Sequence, residues 1–164
     1  MRKDIFIDNN IASKFSNPQD PEYIKLTKWL MFFDSKEAAD SENSKDNFAH
    51  LVVSQKLLIE YFKSSKGATS SSSIPVIIDK LTREGRLIKF SIDEINDFKQ
   101  AYFSKKVIKN FESNHQDWEL LPIIFLSDRK FALSYDDKFT KDIENFPKFT
   151  ATVAKRPEDL PYNE

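Results

Sequence analysis

The chain contains no cysteine, so disulfides, thiolate zinc sites and thiol nucleophiles are excluded together. Its two histidines, His50 and His115, are too few for a multi-histidine metal cage. Two glycines, Gly67 and Gly85, cannot write a Walker loop or a dinucleotide fingerprint. No run of about 18 apolar residues occurs, and Arg2-Lys3-Asp4 leads into only a few apolar positions. Neither a membrane span nor a signal peptide is expected, and a cytoplasmic location follows by default. A net charge of -1 supplies no global attraction to a polyanion, so a nucleic acid would need a local basic patch and metal ions to hold it.

What is present is a globular balance: 164 residues, 40% hydrophobic and 31% charged, with 15 phenylalanines. That length predicts one domain over residues 1–164. Asp4 to Asp8 reads as a buried strand, because Ile5-Phe6-Ile7 is an unbroken apolar run. Asn17-Pro18-Gln19-Asp20-Pro21 opens a helix, with Asp20 as N-cap and Pro21 in first position. Tyr23, Leu26, Trp29, Leu30 and Phe33 give that helix one apolar face. A polar loop follows over 34–47, then a strand from His50 to Ser54 and a helix from Gln55 to Lys63. Ser64 to Ser73 lacks apolar anchors and reads as a flexible loop.

Pro75 opens the next helix, which stops near Gly85, and Arg86 to Phe90 is a short extended link. Ser91 and Glu94 form a capping box, and a further helix spans about Ser104 to Phe111. Asp117 either caps an apolar helix containing Leu120, Leu121 and Ile124 or, if Pro122 marks the first helical position, belongs to the preceding loop. A strand from Phe131 to Tyr135, a helix from Lys138 to Phe146, a strand from Phe149 to Val153 and a tail over 156–164 complete the chain. Alternating strands and helices predict an α/β fold, a three-layer α/β/α sandwich around a mostly parallel sheet.

In such sheets sites collect beyond the carboxyl ends of the strands. Asp8 ends the first strand, Glu60 lies on the helix after the second, Asp117 stands before an apolar helix, and Asp136 follows Ala132-Leu133-Ser134. Four acids at one edge would repel, and a hard divalent cation with oxygen ligands resolves the conflict.

The same residues resemble the PIN-domain ribonucleases, which include toxins of prokaryotic toxin-antitoxin pairs. Ile7-Asp8-Asn9-Asn10 looks like the family's opening hydrophobic-Asp-x-Asn, and Val53-Ser54 with Glu60 is similar to its strand-Ser-helix-Glu segment. Asp117 and Ser134-Tyr135-Asp136 look like its helix-start Asp and its Thr/Ser-x-Asp strand end. Asn9, Pro122 and the segment from Arg86 to Phe111 depart from the family's pattern. The resemblance implies metal-dependent endonucleolytic hydrolysis of RNA, with Asp8, Glu60, Asp117 and Asp136 binding Mg2+ or Mn2+. Asn10 and Ser134 would orient the carboxylates. An antitoxin protein and a homodimer are the partners it implies.

Plainer readings stand beside these. Asp8 can simply end a strand, Asp117 can be only a cap, and Asp128 or Asp137 could replace Asp117 or Asp136. Lys105, Lys106 and Lys109 make an ordinary solvated helix face. Together with Arg129 and Lys138 they could instead track a phosphate backbone. Two rival functions follow: a catalytically silent module that holds RNA or a protein, and a phosphohydrolase of small esters. The second would need an Asp where Asn10 stands.

Overall fold

The computed structural model describes residues 1–16, 20–68 and 70–162. Five strands, β1 (Lys3–Ile7), β2 (Ala49–Val53), β3 (Leu87–Lys89), β4 (Phe131–Leu133) and β5 (Thr152–Ala154), form one all-parallel sheet in the order β3-β2-β1-β4-β5. β1 lies at the centre, with Ile5 opposite Leu51 of β2 and Ile7 opposite Leu133 of β4. Its Ile5, Phe6 and Ile7 are fully buried, as a strand covered on both faces requires.

The chain first steps from β1 through β2 to β3. The helices α1 (Asn9–Ala12), α2 (Pro21–Met31), α4 (Gln55–Ser64) and α5 (Ile74–Arg83) of those crossovers pack together on one face. It then returns past β2 and β1 to β4 and β5. This reversal moves α6 (Ile92–Tyr102), α7 (Lys105–Lys109), α8 (His115–Trp118), α9 (Leu121–Leu126) and α10 (Asp137–Glu144) to the other face, because parallel crossovers keep one hand. The result is a three-layer α/β/α sandwich. The phenylalanines concentrate in the second layer, where the ring of Phe125 lies 4.5 Å from that of Phe146 and 5.9 Å from that of Phe98. No helix among the described residues is long and apolar enough to cross a membrane.

Several local expectations change. Arg86 to Phe90 is not merely a link: its Leu87–Lys89 pairs with β2 as the edge strand, after Gly85 turns the chain at φ +68°. The last strand starts later than Phe149, whose ring is recruited into the aromatic cluster against Phe98, Tyr102 and Phe125. The 34–47 loop contains α3 (Ser35–Ala39), capped by Asp34, and a 3-10 turn at Ser44–Asn47.

The serine-rich stretch is tied down by hydroxyls rather than apolar groups. Ser65 donates to the carbonyl of Tyr61, Ser72 donates to that of Phe15, and Ser73 is buried. Asp20 caps α2 and Pro21 opens it, as expected, while Asn17, Pro18 and Gln19 lie outside the described residues, as do Thr69, Asn163 and Glu164.

Candidate functional site

The strand order reverses between β1 and β4, so the crevice beyond their carboxyl ends is the topological switch point of the sheet. Asp8 follows β1 and the segment Ser134-Tyr135-Asp136 follows β4, which brings both to that crevice. Ser134 Oγ donates to Asp8 Oδ2 at 2.7 Å and accepts from the Asp136 amide at 3.1 Å, so one hydroxyl holds the two acids in register. Asp8 Oδ1 accepts from the Asn9 amide at 2.8 Å, and Asp136 Oδ1 caps α10 through the amides of Lys138 and Phe139. Beneath this pair the buried Tyr61 hydroxyl of α4 donates to the Ile7 carbonyl and fixes the strand end. Burial pushes the Tyr61 phenol well above its ordinary value.

Glu60 and Asp117 approach from α4 and α8. Lys56, one turn before Glu60, lies 3.5 Å from its Oε1 and donates to the carbonyl of Gln116, linking the two helices. Electrostatics ties the four acids together. Burial, then the charges of Asp117 and Asp136, push Asp8 up to about 6 against the lowering bonds from Ser134 and Asn9. Burial, then Asp136 and Glu60, push Asp117 up, with Lys56 opposing.

Asp117 is not the cap of the apolar helix. Asn114 caps the one-turn α8 that carries Asp117, and Pro122 sits in the first turn of a separate α9. That is the geometry in which its missing N–H costs nothing. Asn10 is exposed, and its side chain accepts from the Tyr135 amide at 3.4 Å, so it positions the 134–136 segment instead of a carboxylate.

The cations expected to track a backbone are dispersed. Lys138 lies exposed in the first turn of α10, directly after the acids. Lys105 and Lys109 are exposed on α7, and no bond joins either to the acids among the described residues. Arg129 lies two residues before β4 and therefore belongs to the amino edge, opposite the acids; its charge acts on Lys3 and Tyr162. Asp128 lies there too, its amide bound to Asp4, and so cannot replace Asp117. Asp137 is exposed on α10, and the His115 ring lies 5.1 Å from that of Trp118.

Sequence reasoning passed over Lys56, Tyr61 and Tyr135. The i,i+4 spacing of Lys56 and Glu60 was the available signal for the first. Tyr61 reads as one more apolar residue until its hydroxyl bond is seen.

Carboxylate oxygens are the donors a hard divalent cation prefers. Among the described residues no group of three carboxylates or histidines stands arranged to grip one ion together. Mg2+ needs no such group, since it keeps several waters and is held through one or two carboxylates. The Asp8–Asp136 pair, with Asp117 nearby, fits that mode. Comparison with protein-family models, with curated proteins and with solved structures finds no match to this chain.

Proposed function

We propose that this protein is a metal-dependent endoribonuclease of PIN type, hydrolysing RNA phosphodiester bonds at the carboxyl edge of β1 and β4. One observation carries the reading: Asp8 and Asp136 share the Ser134 hydroxyl at the switch point, with Asp8 in the field of Asp117, and no ion pair reaches Asp8 among the described residues. An arrangement that costs stability when empty is what a cation site requires.

Asp8 and Asp136 would hold Mg2+ or Mn2+ directly, and Asp117 and Glu60 would reach it through bound water, Glu60 once it leaves Lys56. The bound cation would neutralise the acids and stabilise charge on the phosphoryl oxygens. Ser134 orients both Asp8 and Asp136, Asn10 steadies their segment, and Tyr61 holds the strand end against the drift that like-charge repulsion favours. Lys138, two residues after Asp136, is available to a neighbouring phosphate.

The test is cleavage of end-labelled RNA with Mn2+, Mg2+ and chelator, paired with Mn2+ binding by calorimetry. Asp8→Asn should lower cleavage by at least about a hundredfold, beyond the loss seen when an outer-shell partner is removed. It should also weaken Mn2+ binding while keeping the folded circular dichroism spectrum. Cleavage that survives chelation overturns the proposal. Because no three acids converge as they stand, a silent binding module is the second reading. It is favoured if calorimetry finds no Mn2+ binding at millimolar concentration.

A further inference from the structure

Tyr135 is the residue between the two that matter most at the switch point, and packing does not explain it. Phe131, Ala132, Leu133 and Ser134 before it are buried, whereas Tyr135 is 41% exposed. Its position is nevertheless fixed. Its amide donates to Asn10 Oδ1, and the phenol of Tyr23 on α2, raised first by burial, is raised further by the neighbouring Tyr135 side chain. The register of β4 and β5 pairs Leu133 with Ala154, and the Ser134 amide donates to the Ala154 carbonyl at 3.1 Å, so Lys155 lies alongside. The Lys155 ammonium stands 5.9 Å from the Tyr135 ring centroid and makes no ion pair among the described residues. The neighbouring Arg156 differs, being paired with Glu22. An exposed aromatic ring on an anchored backbone, with a cation over it and one residue from an acid pair, has the composition of a surface that binds unpaired nucleotides.

We propose that Tyr135 is a stacking platform for one unpaired base of the nucleic acid, with Lys155 on an adjoining phosphate. The inference rests on the nuclease reading and deepens it: the substrate is single-stranded around the cut, because a base inside a duplex has both faces covered. Stacking on a ring also predicts tolerance of base identity. On the Lys56 side of the acids three lysines are already engaged, Lys56 with Glu60 and Gln116, Lys89 with Gln55, and Lys99 with Glu119, and Lys63 is left without a partner among the described residues.

The experiment is fluorescence anisotropy of labelled short oligonucleotides at low salt, in chelator and in an Asp8→Asn background, so that no strand is cut. Single-stranded RNA, single-stranded DNA of the same sequence and blunt RNA duplex are the three ligands. Tyr135→Ala and Tyr135→Leu should each weaken single-strand binding about ten- to a hundredfold, whereas Tyr135→Phe should stay within about threefold. Lys155→Ala should reduce the salt dependence of binding by roughly 0.7 in log–log slope, the loss of one phosphate contact to a single strand. Preference for RNA over DNA would add recognition of the 2′-hydroxyl, and equal binding would leave stacking alone.

Duplex bound as tightly as single strand, or Tyr135→Leu binding like the parent, overturns the platform, as does absence of binding by the parent. The two readings fail separately. Tyr135-dependent binding without Mn2+-stimulated cleavage refutes the nuclease and keeps the platform. Cleavage with an unchanged KM in Tyr135→Leu does the reverse.

Discussion

Asp4 and Asp8 flank the interior of one strand, and their surroundings are opposite. At the amino edge Asp4 is fully buried, and Arg2 grips its two oxygens at 2.6 and 3.0 Å while the Asp128 amide adds a third bond at 2.8 Å. Its carboxylate in turn holds the Arg2 guanidinium above the ordinary value. At the carboxyl edge Asp8 receives a hydroxyl and one amide, with further acids for neighbours instead of a cation. A chain selected for stability alone would treat both ends of β1 alike. The amino edge is where charge is closed off within the fold, and the carboxyl edge is where charge is kept available to something outside it.

Breaking the closed end should have the largest effect on stability. Asp4→Ala leaves Arg2 and the Asp128 amide without their acceptor, and about 2 to 4 kcal/mol should be lost. Arg2 reaches solvent, which holds the cost below that of a wholly interior pair. Urea unfolding measures it; a change under about 1 kcal/mol would mean that the amino edge carries no special stability. Cleavage per folded molecule should be unaltered.

The open end should respond to pH with the opposite sense. A carboxyl raised from 3.8 to about 6 on folding takes up protons in the folded state first. Its favourable contribution is therefore complete below about pH 3.8 and is lost as pH rises through about 6. For the metal-free protein the ionised Asp8 costs on the order of 3 kcal/mol at neutral pH. Asp8→Asn should remove this cost and raise the metal-free melting temperature at pH 7.5, with little effect at pH 4. Mn2+ affinity of the parent should fall as pH drops below about 6, because ion and proton compete for one oxygen. A melting temperature independent of pH between 4 and 7 would sink the account of Asp8.

Much of the fold and of the carboxyl edge is legible in the sequence, whereas the closed amino edge is not, and the reasons for the exceptions are physical. β1, β2 and α4 are apolar runs of sufficient length with a carboxylate or serine at the boundary, so local pattern and tertiary burial agree. β3 was harder because three residues at a sheet edge need no unbroken apolar run, and Lys89 faces solvent there. Phe149 misled because hydrophobicity does not distinguish a strand residue from an aromatic drawn into a cluster. The spacing of Ser134 and Asp136 pointed to a shared role, and the 2.7 Å bond to Asp8 gives it a form. Arg129 was misassigned, although alternation alone puts a residue between a helix and the start of the next strand on the amino edge. Tyr135 was unreadable, because its significance depends on Tyr23 and Lys155, distant in sequence and adjacent only after β5 docks.

The smallest expected effect sharpens the comparison most, since it concerns the one hydroxyl that distinguishes the two aspartates. Ser134→Ala removes the donor to Asp8 Oδ2 and the acceptor of the Asp136 amide in one step. Losing a bond that favours the ionised form drives Asp8 further upward, so the acid limb of the cleavage profile should move to higher pH. Cleavage at neutral pH should fall about ten- to a hundredfold, as for loss of a partner that orients a metal ligand. Ser134→Thr keeps the hydroxyl and should restore both position and rate. A merely structural serine would lower the rate at every pH by the same factor and leave the limb where it was. The displaced limb, with its return in the threonine variant, separates a residue that tunes Asp8 from one that only packs beside it.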